Sequence, residues 1–412
     1  MKKELKPYTF FALNTFEKEG GGTIRMYGML NSLAGKGHPV TLISNAKDHS
    51  KFHSNIRHIP INYIITPEEK RKFQFLLSAL PLFVVNWFFK DLLNHLKEVF
   101  KNSSLEKVYF FEYLDNSIGY WLKKNKVINS YINDLHGVAT LEFDFQRKNK
   151  TSLKDKAILN AKYLSAKKLD EKVLKEAEYN IYASNAMFDY YVELYPQLRN
   201  QKLVILPYLL PIEASEREIN TELVESFKHQ YHIQPDNKVI LFAGAFKLTG
   251  GVLDLIQAFH KISAKHENAI LLLVGDGYEF NNCQAYVSQH NLKNKVIFTG
   301  RTPYDHLASY QELADVIVCP DKDNVFSQLI IHVKYLDSLL SNKPVINGSF
   351  KSVMELNPAK KLSLTFEPSN IADLANELEN ALIHNQQLKE KYKNNRQEVL
   401  SSLTYATWRD EF

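Results

Sequence analysis

Short apolar runs alternate with longer stretches of helical character along most of the chain, and this alternation occurs twice. Apolar runs that lie between helices are typical of parallel strands buried on both faces of a sheet. In the first half, the predicted strands are Thr9–Leu13, Val40–Ile43, Tyr63–Ile65, Val108–Phe111, Ser130–Ile132 and Asn180–Ala183. In the second half, they are Val239–Phe242, Ile270–Val274, Val296–Phe298, Val316–Cys319, Val345–Asn347 and Leu362–Phe366. The pattern therefore predicts an α/β protein with two parallel sheets.

An irregular segment separates the two sets of strands. The stretch LPYLLPIEASEREIN begins at Leu206, and its two prolines and several charges are typical of a connector. We predict an N-terminal domain at 1–205, a connector at 206–236 and a C-terminal domain at 237–395. A tail follows at 396–412, and its return to the N-terminal domain is one option that we consider. The two domains would enclose a cleft.

The most apolar stretch runs from Phe73 to Phe89. A helix of this span reaches only about 25 Å, which is short of the roughly 30 Å hydrocarbon layer of a membrane. Pro81 lies near its middle, where it disfavours an uninterrupted helix. Basic residues at 70–72 precede it. We therefore expect a helix that covers the N-terminal sheet or lies at a membrane interface, and both options stay open.

Composition narrows the class of protein. A chain of 412 residues is long enough for two domains, and its net charge of +5 is too mild to indicate a nucleic-acid partner. Cys283 and Cys319 form no disulfide framework, which fits a reducing compartment. The apolar run near the N-terminus is shorter than a signal-peptide core. We expect a cytoplasmic protein, with peripheral contact to the inner face of the membrane left open.

Glycine-rich loops follow the first strand of each half. The first is EGGGTIRMYGML, which contains Gly21 and Gly22, and the second contains Gly244, Gly250 and Gly251. Backbone amides and the helix dipole converge at the carboxyl end of such a strand, where anions bind. Two such loops predict a diphosphate ligand. Neither loop has the spacing of a P-loop or of a dinucleotide fingerprint, which disfavours nucleotide hydrolysis and hydride transfer.

Five motifs occur in an order that resembles a known family. They are GGGTIRMYGMLNSLAGKGHPVTLIS, NDLHGV, LLLVGDGYE, VIFTGRTPYDHLASYQELADVIVCP and VKYLDSLLSNKPVIN. The chain resembles the retaining glycosyltransferases of group 1, which are similar to glycosyltransferase family 4 and include many enzymes of bacterial polysaccharide biosynthesis. This resemblance implies the GT-B fold, in which two Rossmann-like domains face each other across a cleft. It also implies transfer of a hexosyl group from a nucleotide-diphosphate sugar to a glycan or lipid-linked acceptor, with no cofactor and no metal.

The resemblance assigns roles to particular residues. His136, which follows a predicted strand, would contact the transferred sugar as the catalytic residue. Gly21 and Gly22 would approach the donor diphosphate. The backbone around Arg301 and Thr302 would contact the base of the nucleoside. The carboxylate of Asp337 would bind the ribose.

The chain also departs from the family pattern. The family has an arginine and a lysine in the second glycine loop, where this chain has Ala245 and Gly250. We predict that the nearby Lys247, and Arg25 from the first glycine loop, supply positive charge to the diphosphate instead. Asn324 stands at the place of the first glutamate of the family's glutamate pair, and the adjacent Asp323 is the candidate to replace it at the donor sugar. Asp337 lies five positions later than the usual second glutamate.

These departures keep two alternatives open. One is a non-catalytic GT-B subunit that binds a partner transferase or a glycan, because several charged groups of the family are replaced. The other is a nucleotide-sugar epimerase of the same fold, which would form product from the donor alone.

Overall fold

The computed structural model describes residues 5–17, 21–101, 107–149, 152–210 and 219–404. The chain divides into two compact units between Leu209 and Leu210, at a point within the predicted connector. Part of that connector, 211–218, and most of the predicted tail, 405–412, lie outside the described residues. The expected return of the tail to the N-terminal domain therefore stays a prediction.

The N-terminal unit is built on a parallel sheet. Its described strands are β1 (Tyr8–Ala12), β2 (Val40–Ser44), β3 (Ile56–Pro60), β4 (Val108–Phe110), β5 (Tyr131–Leu135), β6 (Tyr179–Tyr182) and β7 (Leu203–Ile205), in the order β3-β2-β1-β4-β5-β6-β7. The helices are α1 (Gly21–Gly35), α2 (Pro67–Ala79), α3 (Leu82–Phe88), α4 (Lys90–Lys101), α5 (Tyr113–Lys124), α6 (Ala139–Asn149), α7 (Leu153–Glu176) and α8 (Asn185–Leu194). The strand order reverses between β1 and β4.

The C-terminal unit repeats this plan with a second parallel sheet. Its described strands are β8 (Lys238–Ala243), β9 (Ala269–Val274), β10 (Val296–Gly300), β11 (Val316–Cys319), β12 (Val345–Gly348) and β13 (Leu364–Phe366), in the order β10-β9-β8-β11-β12-β13. The helices are α9 (Thr221–Gln230), α10 (Val252–Ser263), α11 (Phe280–Gln289), α12 (Leu307–Leu313), α13 (Val333–Leu339), α14 (Lys351–Leu356), α15 (Ile371–Ile383) and α16 (Asn385–Ser402). Here the order reverses between β8 and β11. The predicted α/β class is confirmed by these two parallel sheets.

Burial explains why the central strands could be read from the sequence. Every residue of β1 and of β9 is buried, because helices cover both faces of a parallel sheet. Phe10 and Phe11 of β1 point to opposite faces of the sheet and are both fully buried. A continuous apolar run is therefore the expected signature of such a strand.

The edge of the N-terminal sheet differs from the prediction. The strand predicted at Tyr63–Ile65 is absent, and β3 lies earlier, at Ile56–Pro60, where it is only half-buried. Asn62 has a positive φ of 54°, which ends the extended run before Tyr63. The side chain of Asn45 then binds the backbone N–H and C=O of Tyr63, in place of a neighbouring strand.

Two other segments also differ from the expectation. The apolar stretch forms two helices, α2 and α3, because the chain breaks at Leu80 and Pro81. Part of the predicted connector is the helix α9, whose Phe227 stacks on Tyr310 of the C-terminal unit with ring centroids 4.2 Å apart. Among the described residues, no helix is long and apolar enough to cross a membrane.

Gly251 is where backbone geometry and packing both require glycine. Its φ is +66°, and a Cβ at this position would overlap the carbonyl oxygen of Pro320 in the loop after β11. The loops after β8 and β11 are joined further by the backbone N–H of Lys322, which donates to the carbonyl oxygen of Thr249 at 2.9 Å. Where the strand order of the C-terminal sheet reverses, the backbones of the loops after β8 and β11 are therefore in direct contact.

We predict that Gly251→Ala lowers the free energy of unfolding clearly more than Gly300→Ala. Gly300 is the matched control, because its φ of +75° is similar but nothing lies within 4 Å of its Cβ position. A positive φ alone costs alanine about 1–2 kcal/mol. Urea unfolding of both variants, followed by circular dichroism, checks the difference. Equal losses would show that the contact with Pro320 adds nothing to the cost.

Candidate functional site

Gly22 and His136 are brought together at the carboxyl edge of the N-terminal sheet. Gly22 lies in the first turn of α1, and His136 directly follows β5. A Cβ on Gly22 would lie 3.0 Å from Nε2 of His136. The absence of a side chain at this position therefore keeps that ring nitrogen uncovered. Gly21 begins the same helix.

A buried ion pair holds this corner of the domain. Arg25 on α1 is 0% exposed, and its Nε and Nη2 donate to the two oxygens of Asp134 at 2.7 and 2.6 Å. The same guanidinium donates to the carbonyl oxygens of Leu206 and Pro207 at 3.0 and 2.9 Å. A bidentate pair with further hydrogen bonds is the arrangement in which a buried charge is tolerated.

Arg25 therefore does not have the role that the sequence suggested. We predicted that it supplies charge to a diphosphate, but its guanidinium is fully buried and bonded within the N-terminal unit. The sequence around Arg25 is that of a surface helix and does not indicate a buried ion pair. The partner, Asp134, lies 109 residues away in the chain. The arginine anchors the carboxylate that faces His136.

Asp134 links the arginine to the histidine. Its Oδ2 lies 3.4 Å from Nδ1 of His136, whose side chain is 17% exposed. Burial raises the pKa of Asp134, but the charge and hydrogen bonds of Arg25, with a smaller contribution from His136, outweigh burial and hold it at about 2. The carboxylate is thus ionised at neutral pH. Nδ1 of His136 faces this carboxylate without a hydrogen bond among the described residues, and Nε2 faces Gly22.

In the C-terminal unit, the second glycine loop meets the loop after β11. Gly250 and Gly251 are both buried, Gly251 lies against Pro320 of this loop, and the backbone N–H of Lys322 donates to the carbonyl oxygen of Thr249. The contact lies at the reversal between β8 and β11, and ligands of open α/β sheets bind outside the carboxyl ends of strands at such a reversal. The second glycine loop therefore lies at this edge, and its binding of a diphosphate stays a prediction.

A lysine that the sequence analysis missed lies beside this loop. Lys334 is the second residue of α13, and its Cδ would lie 3.6 Å from a Cβ on Gly244. Its Nζ donates to Oδ1 of Asp321 at 2.7 Å. Oδ2 of Asp321 is buried and has no hydrogen-bond partner among the described residues. One sign of this lysine is present in the sequence. The family has two cations where this chain has Ala245 and Gly250, so a cation from another element is expected beside the loop.

The predicted polar residues of the two loops have different environments. Lys247 is exposed. Asp323 is also exposed, and its Oδ1 accepts a hydrogen bond from Gln328 at 2.9 Å. The amide of Asn324 bonds the backbone and hydroxyl of Ser327 and the carbonyl of Lys322, all at 2.9 Å. These bonds close the loop, so Asn324 has a local structural role in addition to the predicted contact with a donor sugar.

A hydrogen bond from Tyr304 joins Asp337 to the loop that carries Arg301 and Thr302. The hydroxyl of Tyr304 donates to Oδ1 of Asp337 at 2.8 Å, and Asp337 is buried. Arg301 is exposed, with Nε 3.9 Å from Asp276. The hydroxyl of Thr302 lies 3.4 Å from Nδ1 of His306. The structure therefore places the carboxylate and the loop after β10 at one edge, although they are separated in sequence.

Comparison with known families identifies this second unit. The model of the family described as "Glycosyl transferases group 1" matches residues 224–399. Residues 224–399 are therefore similar to the group 1 glycosyltransferases. This match contains the second glycine loop, Lys334 and Asp337. The family resemblance noted in the sequence is thereby confirmed for the C-terminal unit.

Individual relatives agree with this assignment. An uncharacterised glycosyltransferase of Methanocaldococcus jannaschii is 28% identical over 166 residues, which is 40% of this chain and 41% of the relative. The chain thus spans about two fifths of the curated relatives that it matches. Sucrose-phosphate synthase of Thermosynechococcus elongatus has a TM-score of 0.73 and 15% identity, with 97% of this chain and 95% of that chain covered. HepE of Anabaena, solved with UDP and glucose, has a TM-score of 0.69 and 14% identity, with 98% and 97% covered.

These solved structures extend the likeness to the other unit of the chain. Their coverage includes both units, whereas the family model matches residues 224–399 alone. At such low identity the likeness establishes the GT-B fold. The chemistry of the N-terminal unit must therefore be argued from its own residues.

We predict that the stability difference between the wild type and Asp134→Asn depends on pH. At neutral pH the variant leaves Arg25 buried without its charge partner, which costs roughly 3–5 kcal/mol. The folded pKa of Asp134, about 2, lies below its ordinary value of 3.8, so its stabilisation is present above that value and is lost as the pH falls toward 2.

Urea unfolding at pH 7, 4 and 2 measures this difference. We expect it to narrow by about 2 kcal/mol between pH 4 and pH 2, as the shift in pKa requires. The exposed Asp189→Asn in α8 is the control, and it should show no such narrowing. A constant difference for Asp134→Asn would contradict the ionised pair.

Proposed function

We propose that the chain transfers a hexosyl group from a nucleoside-diphosphate sugar to a glycan or lipid-linked acceptor, with retention of configuration and without a cofactor or a bound metal. Such a reaction would place it among the EC 2.4 transferases and in polysaccharide biosynthesis. The observation that carries the proposal is the contact of the two loops at the reversal of the C-terminal sheet, with Lys334 beside Gly244. The solved complex of HepE with UDP and glucose supports the choice of donor class.

The diphosphate is the leaving group of this reaction, so its growing negative charge must be met. We assign this role to the backbone around Gly250 and Gly251 and to the side chains of Lys247 and Lys334. Lys334 is 20% exposed and paired with Asp321, which holds its stem beside Gly244. Preorganised charge of this kind is commonly the largest contribution to catalysis. Lys334 would thereby replace the cations that the family has at Ala245 and Gly250.

The N-terminal unit would act on the transferred sugar through His136. The ionised Asp134 orients the ring, and Gly22 leaves Nε2 uncovered, so this nitrogen can accept a hydrogen bond from a sugar hydroxyl. Asp323 is the proposed partner of other sugar hydroxyls. Asp337 would bind the ribose, and the backbone near Arg301 and Thr302 would bind the base.

A non-catalytic subunit is the second candidate function. It is favoured by the local bonding of Asn324, which stands where the family has a glutamate, and by the two replaced cations. Such a subunit would bind a nucleotide sugar, a glycan or a partner transferase without consuming donor. Donor turnover therefore separates the two candidates.

We also propose a cytoplasmic location with peripheral contact to the membrane. Phe83 and Trp87 on α3 are each 73% exposed, and Phe75 on α2 is 52% exposed. Basic residues at 70–72 lie on the same helix as Phe75. Exposed aromatic residues beside basic ones fit an anionic lipid surface, where a lipid-linked acceptor would be found.

We predict that Lys334→Met weakens binding of a nucleoside diphosphate by roughly tenfold or more, because a charge-assisted hydrogen bond is lost. Binding of the matching monophosphate should change much less. Calorimetric titrations with UDP, GDP and ADP and their monophosphates measure both effects. Lys334→Arg, which retains the charge, is the matched control. An equal loss for mono- and diphosphate would point to damage to the fold and would remove Lys334 from the diphosphate site.

We predict that His136→Ala lowers donor turnover far more than it weakens nucleotide binding, and that Asp337→Ala does the reverse. Losing the ribose hydrogen bonds should cost roughly 1.5–3 kcal/mol in donor affinity. Steady-state kinetics and calorimetry on both variants test this split, after circular dichroism confirms the fold. Tyr304→Phe is the control for Asp337, because it removes the hydrogen bond between the two side chains and keeps the carboxylate. Full turnover by His136→Ala would remove His136 as the catalytic residue, whereas the absence of donor turnover by the wild type would favour the non-catalytic candidate.

We predict that the chain co-sediments with vesicles that contain phosphatidylglycerol and that the double variant Phe83→Ser/Trp87→Ser binds them weakly. The exposed Ile383→Ser on α15 should bind like the wild type. Added salt should weaken binding, since basic residues contribute to it. Equal sedimentation of all three proteins would place the lipid contact elsewhere on the chain.

A further inference from the structure

His332 lies at the edge of the C-terminal unit where a diphosphate is proposed to bind, and the function proposed above does not use it. It directly precedes α13, two residues before Lys334. Its ring centroid lies 6.4 Å from that of Phe326 and 6.5 Å from that of Phe350. The side chain is 19% exposed. The imidazole is therefore packed near apolar rings, at a point where charged side chains also lie.

Two buried polar atoms of this corner have no partner. Nε2 of His332 and Oδ2 of Asp321 are both buried, and neither has a hydrogen-bond partner among the described residues. Nε2 lies 3.9 Å from the other oxygen of that carboxylate, Oδ1. An unpartnered buried polar atom is costly, and a carboxylate can only accept a hydrogen bond. The contact is therefore strengthened most when Nε2 carries a proton and the ring is an imidazolium.

Asp321 is shared by two groups that can carry a positive charge. Its Oδ1 accepts a hydrogen bond from Nζ of Lys334 at 2.7 Å, and the same oxygen lies within 4 Å of His332. When His332 is neutral, the carboxylate offsets the charge of Lys334, and the three side chains together carry no net charge. When His332 is protonated, they carry one positive charge. Because a diphosphate is strongly negative, it favours the protonated state of this cluster.

The surroundings of His332 favour its neutral form before a ligand binds. Burial first, and then the charges of Lys334 and Lys247, lower its pKa below the ordinary value of 6.5, against the opposing effect of Asp321. These three charged groups belong to α13, to the second glycine loop and to the loop after β11. An anion bound at the two lysines offsets their charges and so raises the pKa of His332. By linkage, such an anion binds more tightly to the protonated protein.

We propose that His332 takes up one proton when a diphosphate binds at this edge, so that Asp321 becomes its counter-ion and the charge of Lys334 acts on the ligand. The proton comes from the solvent and bonds to Nε2, and no other covalent bond changes. The choice of a diphosphate rests on the proposed function. The chain thereby meets part of the ligand's charge with a group that titrates, where the family has fixed cations, and its affinity for the diphosphate falls as the pH rises.

Calorimetric titration with UDP, GDP and ADP tests this proposal. At pH 7, in buffers that differ in their enthalpy of ionisation, the wild type should take up more protons on binding than His332→Asn. The ratio of wild-type to variant affinity should rise by roughly threefold or more from pH 8 to pH 6, since one proton changes affinity by at most about tenfold per pH unit. The terminal phosphate titrates near pH 6 in both experiments, so the comparison of the two proteins is the measurement.

His384→Asn is the matched control, because His384 is an exposed histidine of the same unit. It should take up protons like the wild type. Asp321→Asn is the reciprocal variant and serves if His332→Asn does not fold, which circular dichroism checks. Without the carboxylate, an imidazolium has no counter-ion beside two lysines, so this variant should also lose the proton uptake.

The possible failures are distinguishable. Equal proton uptake by the wild type and His332→Asn would overturn the role of His332 and leave the donor site standing. A loss of affinity in His332→Asn that is the same at pH 8 and pH 6 would also overturn it, because a purely structural role acts at both pH values. If none of the three diphosphates binds the wild type at any pH, the proposed donor site fails, and the role of His332 fails with it.

Discussion

The buried ion pair of Arg25 and Asp134 is the interaction on which the N-terminal site depends. Both side chains are almost fully buried, so neither charge is tolerated without the other. The pair joins helix α1 to the end of β5, and the same guanidinium holds the backbone at Leu206 and Pro207. Since α1 begins with the glycine loop and β5 leads into His136, one interaction sets the distance between Gly22 and the histidine ring. Arg25, whose sequence context is that of a surface helix, thus positions the residues of the site through bonds within the N-terminal unit.

In the C-terminal unit, contact between two backbones positions the loops of the candidate site. Gly251 allows the loop after β8 to lie directly against Pro320, and this contact fixes the edge at which a diphosphate is proposed to bind. The loop has lost the family's cations, but Lys334 reaches the same edge from α13 and is held there by Asp321. A charge can therefore be kept in a site while its position in the sequence changes, because the field at the ligand depends on distance in space.

Both sheets reverse their strand order, and each reversal leaves space at the carboxyl edge of its sheet. In the C-terminal unit, the reversal between β8 and β11 holds the second glycine loop. In the N-terminal unit, the reversal between β1 and β4 holds a cavity with a buried, unpartnered oxygen on Asp115. The same physical cause acts in both, because the loops leaving the two strands diverge and leave space that helices do not fill. The family match covers only the first of these two edges.

The sequence by itself determined the α/β class, most of the strands and the two glycine loops, because each depends on neighbours within one turn or one strand. A continuous apolar run predicts a strand such as Ala269–Val274. A glycine loop is predicted from its position after a strand. The sequence did not predict the edge strand Ile56–Pro60, because a half-buried strand has no continuous apolar run. Tertiary structure alone decided that Arg25 is buried, that Lys334 faces Gly244 and that Asp115 lines a cavity. Each of these depends on a partner far away in the chain, and burial and pairing between distant residues are set by packing, which no local pattern encodes.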